Sequence, residues 1–168
     1  MKPMSTKRPP ALDQIDIKIL VALQRDGRST IEKLAQLVEL SSRACLERVR
    51  RLEAAGIITG YRALVELAQL SRPVNVFAEI VLEKQARQSQ FEQRLAAIEE
   101  IVECWEVSGT VDYIARFVCA DLASYQSLTT QLIEDPSLGI ARIVSHVALR
   151  AIRPFSGYPE TLLARVRV

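Results

Sequence analysis

The sequence predicts an α+β protein with a helical front half and a back half that alternates strand and helix signals. Up to residue 56, apolar residues recur at i, i+3, i+4 and i+7, the spacing of one helix face. From residue 74 onward, alternation typical of half-buried strands is interrupted by two stretches of helical spacing. Residues 1–72 hold 13 Lys+Arg against 8 Asp+Glu, whereas residues 73–168 hold 9 against 12. This division indicates a polyanion-binding module joined to a unit with another task.

The front half predicts three short helices. Asp13 is placed to cap the first helix, which ends at Asp26-Gly27. Ser29 and Glu32 have the spacing of a capping box, so the second helix should begin at Ser29.

The third helix is predicted to begin at Ser41 or Ser42 and to end at Gly56, a C′ position. One side of this helix is apolar, the opposite side is polar and two arginines lie on the flanks, as in a helix-turn-helix recognition helix that enters the major groove of DNA. The apolar residues are Cys45, Val49 and Leu52, the opposite ones Arg43, Glu47 and Arg50, and the flanking ones Arg48 and Arg51. An ordinary amphipathic helix with a solvated charged face is the alternative. We predict base contacts from Arg43, Glu47 and Arg50, and phosphate contacts from Ser41, Ser42, Arg48 and Arg51.

The residues after Gly56 are β-prone and interrupted by glycine. Residues 57–65 therefore predict a short wing or a linking strand, and Ser71-Arg72-Pro73 indicates a linker. We expect a disordered basic tail over 1–11, a winged helix-turn-helix domain over 12–62 and a linker over 63–73.

The back half predicts the order β-α-β-β-α-β of a ferredoxin-like domain, over residues 74–153. Strands are expected at 74–82, 101–107, 113–119 and 140–152. One helix follows a capping box at Ser89 and Glu92, and the other is capped by Asp121. The inward residues of that second helix should be Leu122, Tyr125, Leu128 and Leu132.

Two helices cover only one face of such a sheet. Aromatic residues such as Phe77, Trp105 and Phe117 would then occupy both faces, so we expect a second copy to cover the bare one. A homodimer also suits a helix-turn-helix protein, because paired half-sites need paired recognition helices.

Several other classes of protein find little support. Cys45, Cys104 and Cys119 lie far apart and form neither a zinc motif nor a disulfide framework. His146 is the only histidine, and no nucleophile motif or phosphate loop accompanies it. No apolar run approaches the roughly 18 residues of a membrane span. We expect a cytoplasmic protein that is neither an enzyme nor membrane-bound and that uses no cofactor.

Spaced signatures in both halves resemble the Lrp/AsnC family, the leucine-responsive and asparagine-responsive regulators. They are Leu12-Asp13-x-x-Asp16, Leu20-x-x-Leu23-x-x-Asp26-Gly27-Arg28, Cys45-Leu46-Glu47-Arg48-Val49-Arg50-Arg51-Leu52-Glu53-x-x-Gly56-Ile57-Ile58-x-Gly60-Tyr61 and Val107-Ser108-Gly109-x-x-Asp112-Tyr113. The resemblance implies a prokaryotic regulator with a winged helix-turn-helix, an amino-acid-sensing ferredoxin-like domain, and assembly into dimers and often octamers. Ser42-Arg43 stands where relatives often carry proline, and the tail over 154–168 extends beyond the matched region without an assigned role.

The resemblance also implies an effector site between subunits, near a glycine-containing turn and the last strand. The matching residues are Ser108, Gly109, Thr110, Asp112, Ser145 and His146. Glycine N–H groups can bind the carboxylate of an amino acid and Asp112 its ammonium group. The alternatives are a structural hairpin turn and a packed or solvated imidazole. An architectural DNA-binding protein without an effector remains a second functional interpretation.

Overall fold

The computed structural model describes residues 11–83 and 88–165, which form two units. Unit 1 combines the chain up to Leu64 with the segment from Arg153 onward, and unit 2 comprises Val65–Ile152. The predicted basic tail lies outside the described residues, except for Ala11.

Unit 1 contains the three predicted helices, α1 (Gln14–Arg25), α2 (Ile31–Leu37) and α3 (Ser42–Ala54). Asp13 caps α1 as predicted, and Asp16 completes a reciprocal capping box with it. One apolar cluster joins the helices, because each buries a single stripe against the other two. Its buried members are Ile19, Leu20, Leu34, Ala35, Val38, Cys45, Val49 and Leu52.

The predicted cap of α2 is wrong by one residue. Thr30, not Ser29, is the N-cap, and its hydroxyl accepts the Lys33 N–H at 3.2 Å. The Ser29 hydroxyl instead donates to the Asp26 carboxylate at 3.0 Å. Asp26 therefore organises the preceding turn, and Thr30 takes the position next to the helix.

The turn between α2 and α3 places a glutamate in a left-handed conformation. Glu39 has φ +58°, and the following Leu40 N–H reaches the Ala35 carbonyl at 2.9 Å. This is the bond of a Schellman motif, usually completed by glycine. Ser41 then caps α3 as predicted, its hydroxyl accepting the Ala44 N–H.

The end of α3 is also as predicted. Gly56 has φ +71°, and the Ile57 N–H bonds to the Leu52 carbonyl at 3.0 Å. The strand predicted over 57–65 does not form in this chain. A strand needs a partner strand, and residues 57–65 pair with none of the strands in the described parts of this chain. Tyr61 in this segment donates its hydroxyl to Glu53 of α3 at 2.9 Å.

Unit 2 contains a four-stranded antiparallel sheet. Its strands are β1 (Val74–Leu82), β2 (Ile101–Glu106), β3 (Tyr113–Cys119) and β4 (Ile140–Val147), in the order β2-β3-β1-β4. This order confirms the ferredoxin-like arrangement. The last strand is shorter than predicted because pairing with β1 ends at Val147.

Two helices, α4 (Gln88–Leu95) and α5 (Leu122–Glu134), pack on one face of this sheet. Ser89 lies inside α4, so the predicted capping box is wrong. Asp121 caps α5 as predicted, but Leu122 is exposed. The buried residues of unit 2 are Val76, Ala78, Ile80, Phe91, Leu95, Tyr113, Ala115, Phe117, Cys119, Tyr125, Thr129, Leu132, Leu138 and Ile140.

The opposite face of the sheet remains open within unit 2. Phe77 and Trp105 lie on it and are 40% and 50% exposed, whereas Phe117 is buried on the helix-covered face. Phe77 pairs across the strands with Arg116 and His146, so the open face mixes apolar and charged groups.

The predicted C-terminal tail is structured in part. It ends in a short helix, α6 (Glu160–Leu163), and belongs to unit 1.

Candidate nucleic-acid interface and ligand site

The outward face of α3 carries the predicted base-reading residues. Cys45, Val49 and Leu52 are buried, which turns the opposite side of the helix to solvent. The Arg43 side chain is 90% exposed and its Nε lies 3.4 Å from Glu47 Oε1. Such an exposed i,i+4 pair is weak, so either side chain can be redirected towards a ligand.

Arg48 and Arg51 have a different role, because both bind acidic residues at the start of α1. Arg48 Nη1 lies 2.6 Å from Asp13 Oδ2 and 2.9 Å from Asp16 Oδ1. Arg51 Nη2 contacts the second Asp16 oxygen at 2.5 Å. The Asp16 side chain is fully buried, so these two guanidinium groups compensate a carboxylate that would otherwise be unpaired.

This arrangement gives Arg48 and Arg51, two of the predicted phosphate-contacting residues, partners within the chain, and their contact with phosphate stays a prediction. The Arg48 side chain is only 26% exposed and is committed to two carboxylates. The partner of Arg48 and Arg51, Asp16, was not predicted from the sequence. Asp13 and Asp16 are three residues apart, as are Arg48 and Arg51, and this equal spacing was the available signal. We conclude that these arginines fix α3 on α1, while Arg43 and Arg50 remain exposed.

The charges of this cluster reinforce one another. Partial burial alone would raise the pKa of Asp13, but the Asp16 N–H and the Arg48 guanidinium outweigh it, and the pKa lies below its usual range. Hydrogen bonds to Asp13 and then Asp16 raise the pKa of Arg48.

The two predicted serines stand at the N-terminus of α3. The Ser41 hydroxyl already accepts a backbone N–H as the cap, and Ser42 is the first helical residue and is exposed. Both lie where helix N–H groups point outward, which suits an anionic partner.

The predicted effector turn joins β2 to β3. The Val107 N–H bonds to the Asp112 carbonyl at 3.0 Å, and Gly109 has φ +130°, a conformation that favours glycine. Ser108 and Thr110 are exposed on the same turn. Asp112 Oδ2 accepts the Leu82 N–H at 2.8 Å, which ties the turn to the end of β1.

The last-strand candidates do not act together. Ser145 and His146 are consecutive in β4, so their side chains point to opposite faces of the sheet. The Ser145 hydroxyl lies 2.5 Å from the Tyr125 hydroxyl of α5, on the helix-covered side. His146 Nε2 lies 3.4 Å from Glu79 Oε1 on the open side. Both residues pair with the middle of β1, whereas Asp112 lies at its end.

A groove of about 440 Å³ occurs elsewhere, within unit 1. Residues of α1 and α2 line it together with Glu160, and none of the six predicted effector residues does.

Metal and thiol chemistry find no site in the described parts of the chain. These parts contain no cluster of three or more His, Cys, Asp or Glu side chains placed to hold a metal ion. The cysteines are free, and burial raises the pKa of each thiol, which keeps it protonated. Within these parts, no helix has the length and apolarity of a membrane span.

A three-helix unit that fixes an arginine-bearing helix, joined to a ferredoxin-like sheet unit, defines a DNA-binding transcription regulator with a ligand-binding domain. Two family models match the chain, a winged helix-turn-helix DNA-binding domain over residues 12–59 and the Lrp/AsnC ligand binding domain over residues 75–157. The chain belongs to the Lrp/AsnC family of transcription regulators.

Individual relatives agree with this assignment. The leucine-responsive regulatory protein of Haemophilus influenzae is 43% identical over 145 residues, 84% of this chain and 87% of its own. The Bkd operon transcriptional regulator of Pseudomonas aeruginosa is 42% identical over 151 residues, 88% of this chain and 97% of its own. A transcriptional regulator from Neisseria meningitidis, solved in complex with L-Met, superposes with a TM-score of 0.84 at 28% identity, covering 90% of this chain and 99% of its own.

We expect Arg48→Ala to lower the free energy of unfolding by roughly 1–3 kcal/mol, because Asp16 loses one of its two charged partners. Arg50→Ala, the matched control on the same helix, should change it by less than about 0.5 kcal/mol. Denaturant unfolding followed by circular dichroism measures both. Equal stability of the two variants would contradict the structural role of Arg48.

We expect Asp13→Asn to weaken the dependence of stability on acid pH. The pKa of Asp13 is lowered in the folded state, so its ionised form stabilises the fold above its unfolded pKa of about 3.9. This contribution is lost as the pH falls through the lower folded pKa. Asparagine keeps the oxygen that accepts the Asp16 N–H of the cap, but it removes the charge and the acceptor used by Arg48. Thermal melts between neutral pH and strong acid should converge for the two proteins, and a constant difference in melting temperature would refute this account.

Proposed function

We propose that this regulator binds operator DNA as a homodimer and that a small amino acid changes its affinity for DNA. The observation that carries the proposal is the pair of exposed arginines on a helix whose orientation is fixed by a buried ion-pair cluster. Arg43 and Arg50 can enter a major groove only if α3 is held rigidly, and Arg48 and Arg51 supply that rigidity through Asp16.

In the proposed complex, α3 lies in the major groove. Arg43 and Arg50 donate to guanine edges, and Glu47 accepts from cytosine or orients Arg43. The exposed Ser42 hydroxyl and the N–H groups at the start of α3 meet a phosphate, beside the Ser41 cap.

The proposed effector is a small amino acid. The L-Met complex of the Neisseria meningitidis regulator supports this ligand class. Asp112 uses one carboxylate oxygen for the Leu82 N–H and keeps the other for an ammonium group. Ser108, Gly109 and Thr110 supply N–H groups and hydroxyls for the carboxylate. His146 lies on the open face beside Phe77, away from Asp112, and the Ser145 hydroxyl is already paired with Tyr125, so the proposed contacts rest on the turn residues.

The open face of the sheet favours self-association. Phe77 and Trp105 are exposed there, and the Arg116 guanidinium is bound within the face by Glu103 and Asn75. Two copies could therefore bury this apolar surface while Arg116 keeps its partners. We propose dimers and, by further stacking, octamers.

The relatives of this protein are named as transcriptional regulators. We therefore propose that the protein is not an enzyme, uses no cofactor and acts in the cytoplasm, where bacterial DNA lies. A thermal-shift screen of the twenty amino acids tests the effector, because a ligand of the folded assembly raises its melting temperature by mass action. Operator binding that responds to none of them would favour the architectural alternative.

We expect Arg50→Ala to weaken operator binding by about 1–3 kcal/mol and to relax sequence preference at one position. Arg94→Ala removes a surface arginine of α4 and serves as the control for the change in net charge. Fluorescence anisotropy on operator and scrambled duplexes measures the affinity and its sequence dependence. An unchanged preference in Arg50→Ala would exclude a base contact.

We expect Asp112→Ala to abolish the amino-acid response while basal DNA binding persists. Asp112→Asn separates the two roles of this residue, because its amide oxygen can still accept the Leu82 N–H but cannot neutralise an ammonium group. The asparagine variant should therefore also lose the response, measured as the change in operator affinity with added amino acid. A normal response in Asp112→Asn would restrict Asp112 to a structural role in the turn.

A further inference from the structure

The last described segment of the chain, residues 154–165, is built into the DNA-binding unit although it follows the last strand of the sheet unit. Its short helix α6 contacts α1, and Leu163 packs against the apolar core of the three helices. Ordering a terminal segment costs conformational entropy, which this packing must offset. We call residues 154–165 the C-terminal clasp.

Gln24 holds the clasp through both atoms of its side-chain amide. The Tyr158 N–H donates to Gln24 Oε1 at 2.6 Å, and Gln24 Nε2 donates to the Tyr158 carbonyl at 3.3 Å. Both bonds go to the backbone of one residue, Tyr158, so the contact holds this point of the clasp beside α1.

Gly157 allows this close approach. It has φ +115°, and a Cβ at this position would lie 2.9 Å from Gln24 Oε1. Any other residue would be strained in its backbone and would press on the amide. The rings of Phe155 and Tyr158 pack edge to face on either side of it, with centroids 5.2 Å apart.

The clasp changes how the two units are connected. The chain leaves unit 1 after Leu64 and returns at Arg153, so the sheet unit is joined to the DNA-binding unit by two stretches of backbone. Residues 148–152 connect Val147, the last residue of β4, to the returning stretch. Units joined by one connection move freely by default, and a second connection restricts that freedom.

The helix that receives the clasp also supports the recognition helix. Gln24 lies near the C-terminal end of α1, and Asp16, near its N-terminal end, binds Arg48 and Arg51 of α3. A displacement of α1 at Gln24 therefore reaches α3 through one rigid element and one ion-pair cluster.

We propose that the C-terminal clasp couples the ligand-binding unit to the recognition helix, with Gln24 as the residue that fastens it. This inference rests on the proposed amino-acid response. A ligand bound at Asp112 displaces the end of β1 at Leu82, and β1 passes the displacement to β4, its neighbour in the sheet. Strand β4 then shifts the clasp on α1 through residues 148–152, and α1 transmits the change to α3. In this coupling, the two hydrogen bonds between Gln24 and Tyr158 connect the clasp to α1.

The test compares the full chain with its Gln24→Met variant, which keeps the length of the side chain and removes both hydrogen bonds. Gln14→Met, the same change on an exposed residue at the other end of α1, is the matched control. Gly157→Ala disturbs the contact from the clasp side. The measurements are hydrogen exchange of the Tyr158 amide, and operator affinity with and without millimolar L-leucine, L-methionine and the other amino acids in turn.

We expect slow exchange of the Tyr158 amide in the parent and fast exchange in Gln24→Met and Gly157→Ala. Operator affinity without amino acid should stay within about twofold of the parent, because Gln24 lies outside the DNA-reading residues. The amino-acid effect on affinity, typically about 5- to 150-fold for coupled sites, should fall to less than about twofold in these variants and persist in Gln14→Met.

Three outcomes overturn the coupling. They are a Tyr158 amide that exchanges as in an unstructured chain, a full response in Gln24→Met, and an equal loss in Gln14→Met. A parent that responds to none of the twenty amino acids overturns the proposed effector response and the coupling with it. A responding parent with an equally responsive Gln24→Met overturns the coupling alone.

Discussion

The orientation of the recognition helix depends on one buried carboxylate. Asp16 is inaccessible to solvent and is bound by Arg48 and Arg51, while its other role is to complete the cap of α1. Removing a charge from water is costly unless partners replace the solvent, so the packing of α3 on α1 is most favourable where both guanidinium groups reach Asp16. The arginines of α3 therefore fall into two groups, with Arg48 and Arg51 bound to α1 and Arg43 and Arg50 exposed to solvent.

On the open face of the sheet unit, the charge of Arg116 is likewise bound by side chains of the same chain. Asn75 Oδ1 accepts two bonds from the Arg116 guanidinium, at 3.2 and 3.0 Å, and Glu103 lies 3.6 Å from the same group. The Arg116 guanidinium therefore needs no hydrogen-bond partner from a second chain. The apolar side chains on the same face, Phe77 and Trp105, gain from being covered, and this combination favours a partner of the same kind.

Local signals predicted most of the fold. Strands β1 and β3 have the predicted bounds, β1 because its apolar and polar residues alternate, and Ser41 and Gly56 mark the ends of α3. The strand predicted after Gly56 was wrong because pairing depends on a partner that local sequence does not reveal. Asp16 and Arg48 are 32 residues apart, so their contact could not be predicted from spacing along one helix. The opposite directions of Ser145 and His146, by contrast, follow from the two-residue period of a strand.

The geometry of Asp112 suggests why ligand recognition and the shape of the sheet are linked. Its Oδ2 accepts the N–H of Leu82, where the pairing of β1 with β4 shifts register between Val81 and Leu82. An irregular strand end has fewer ladder bonds to hold it, so a side-chain acceptor contributes more there than in mid-strand. An ammonium group that drew charge towards Oδ1 would weaken the hydrogen bond that Oδ2 accepts from the Leu82 N–H. The central strand would then respond directly to the ligand, and β4, its neighbour, leads into the segment that returns to the DNA-binding unit.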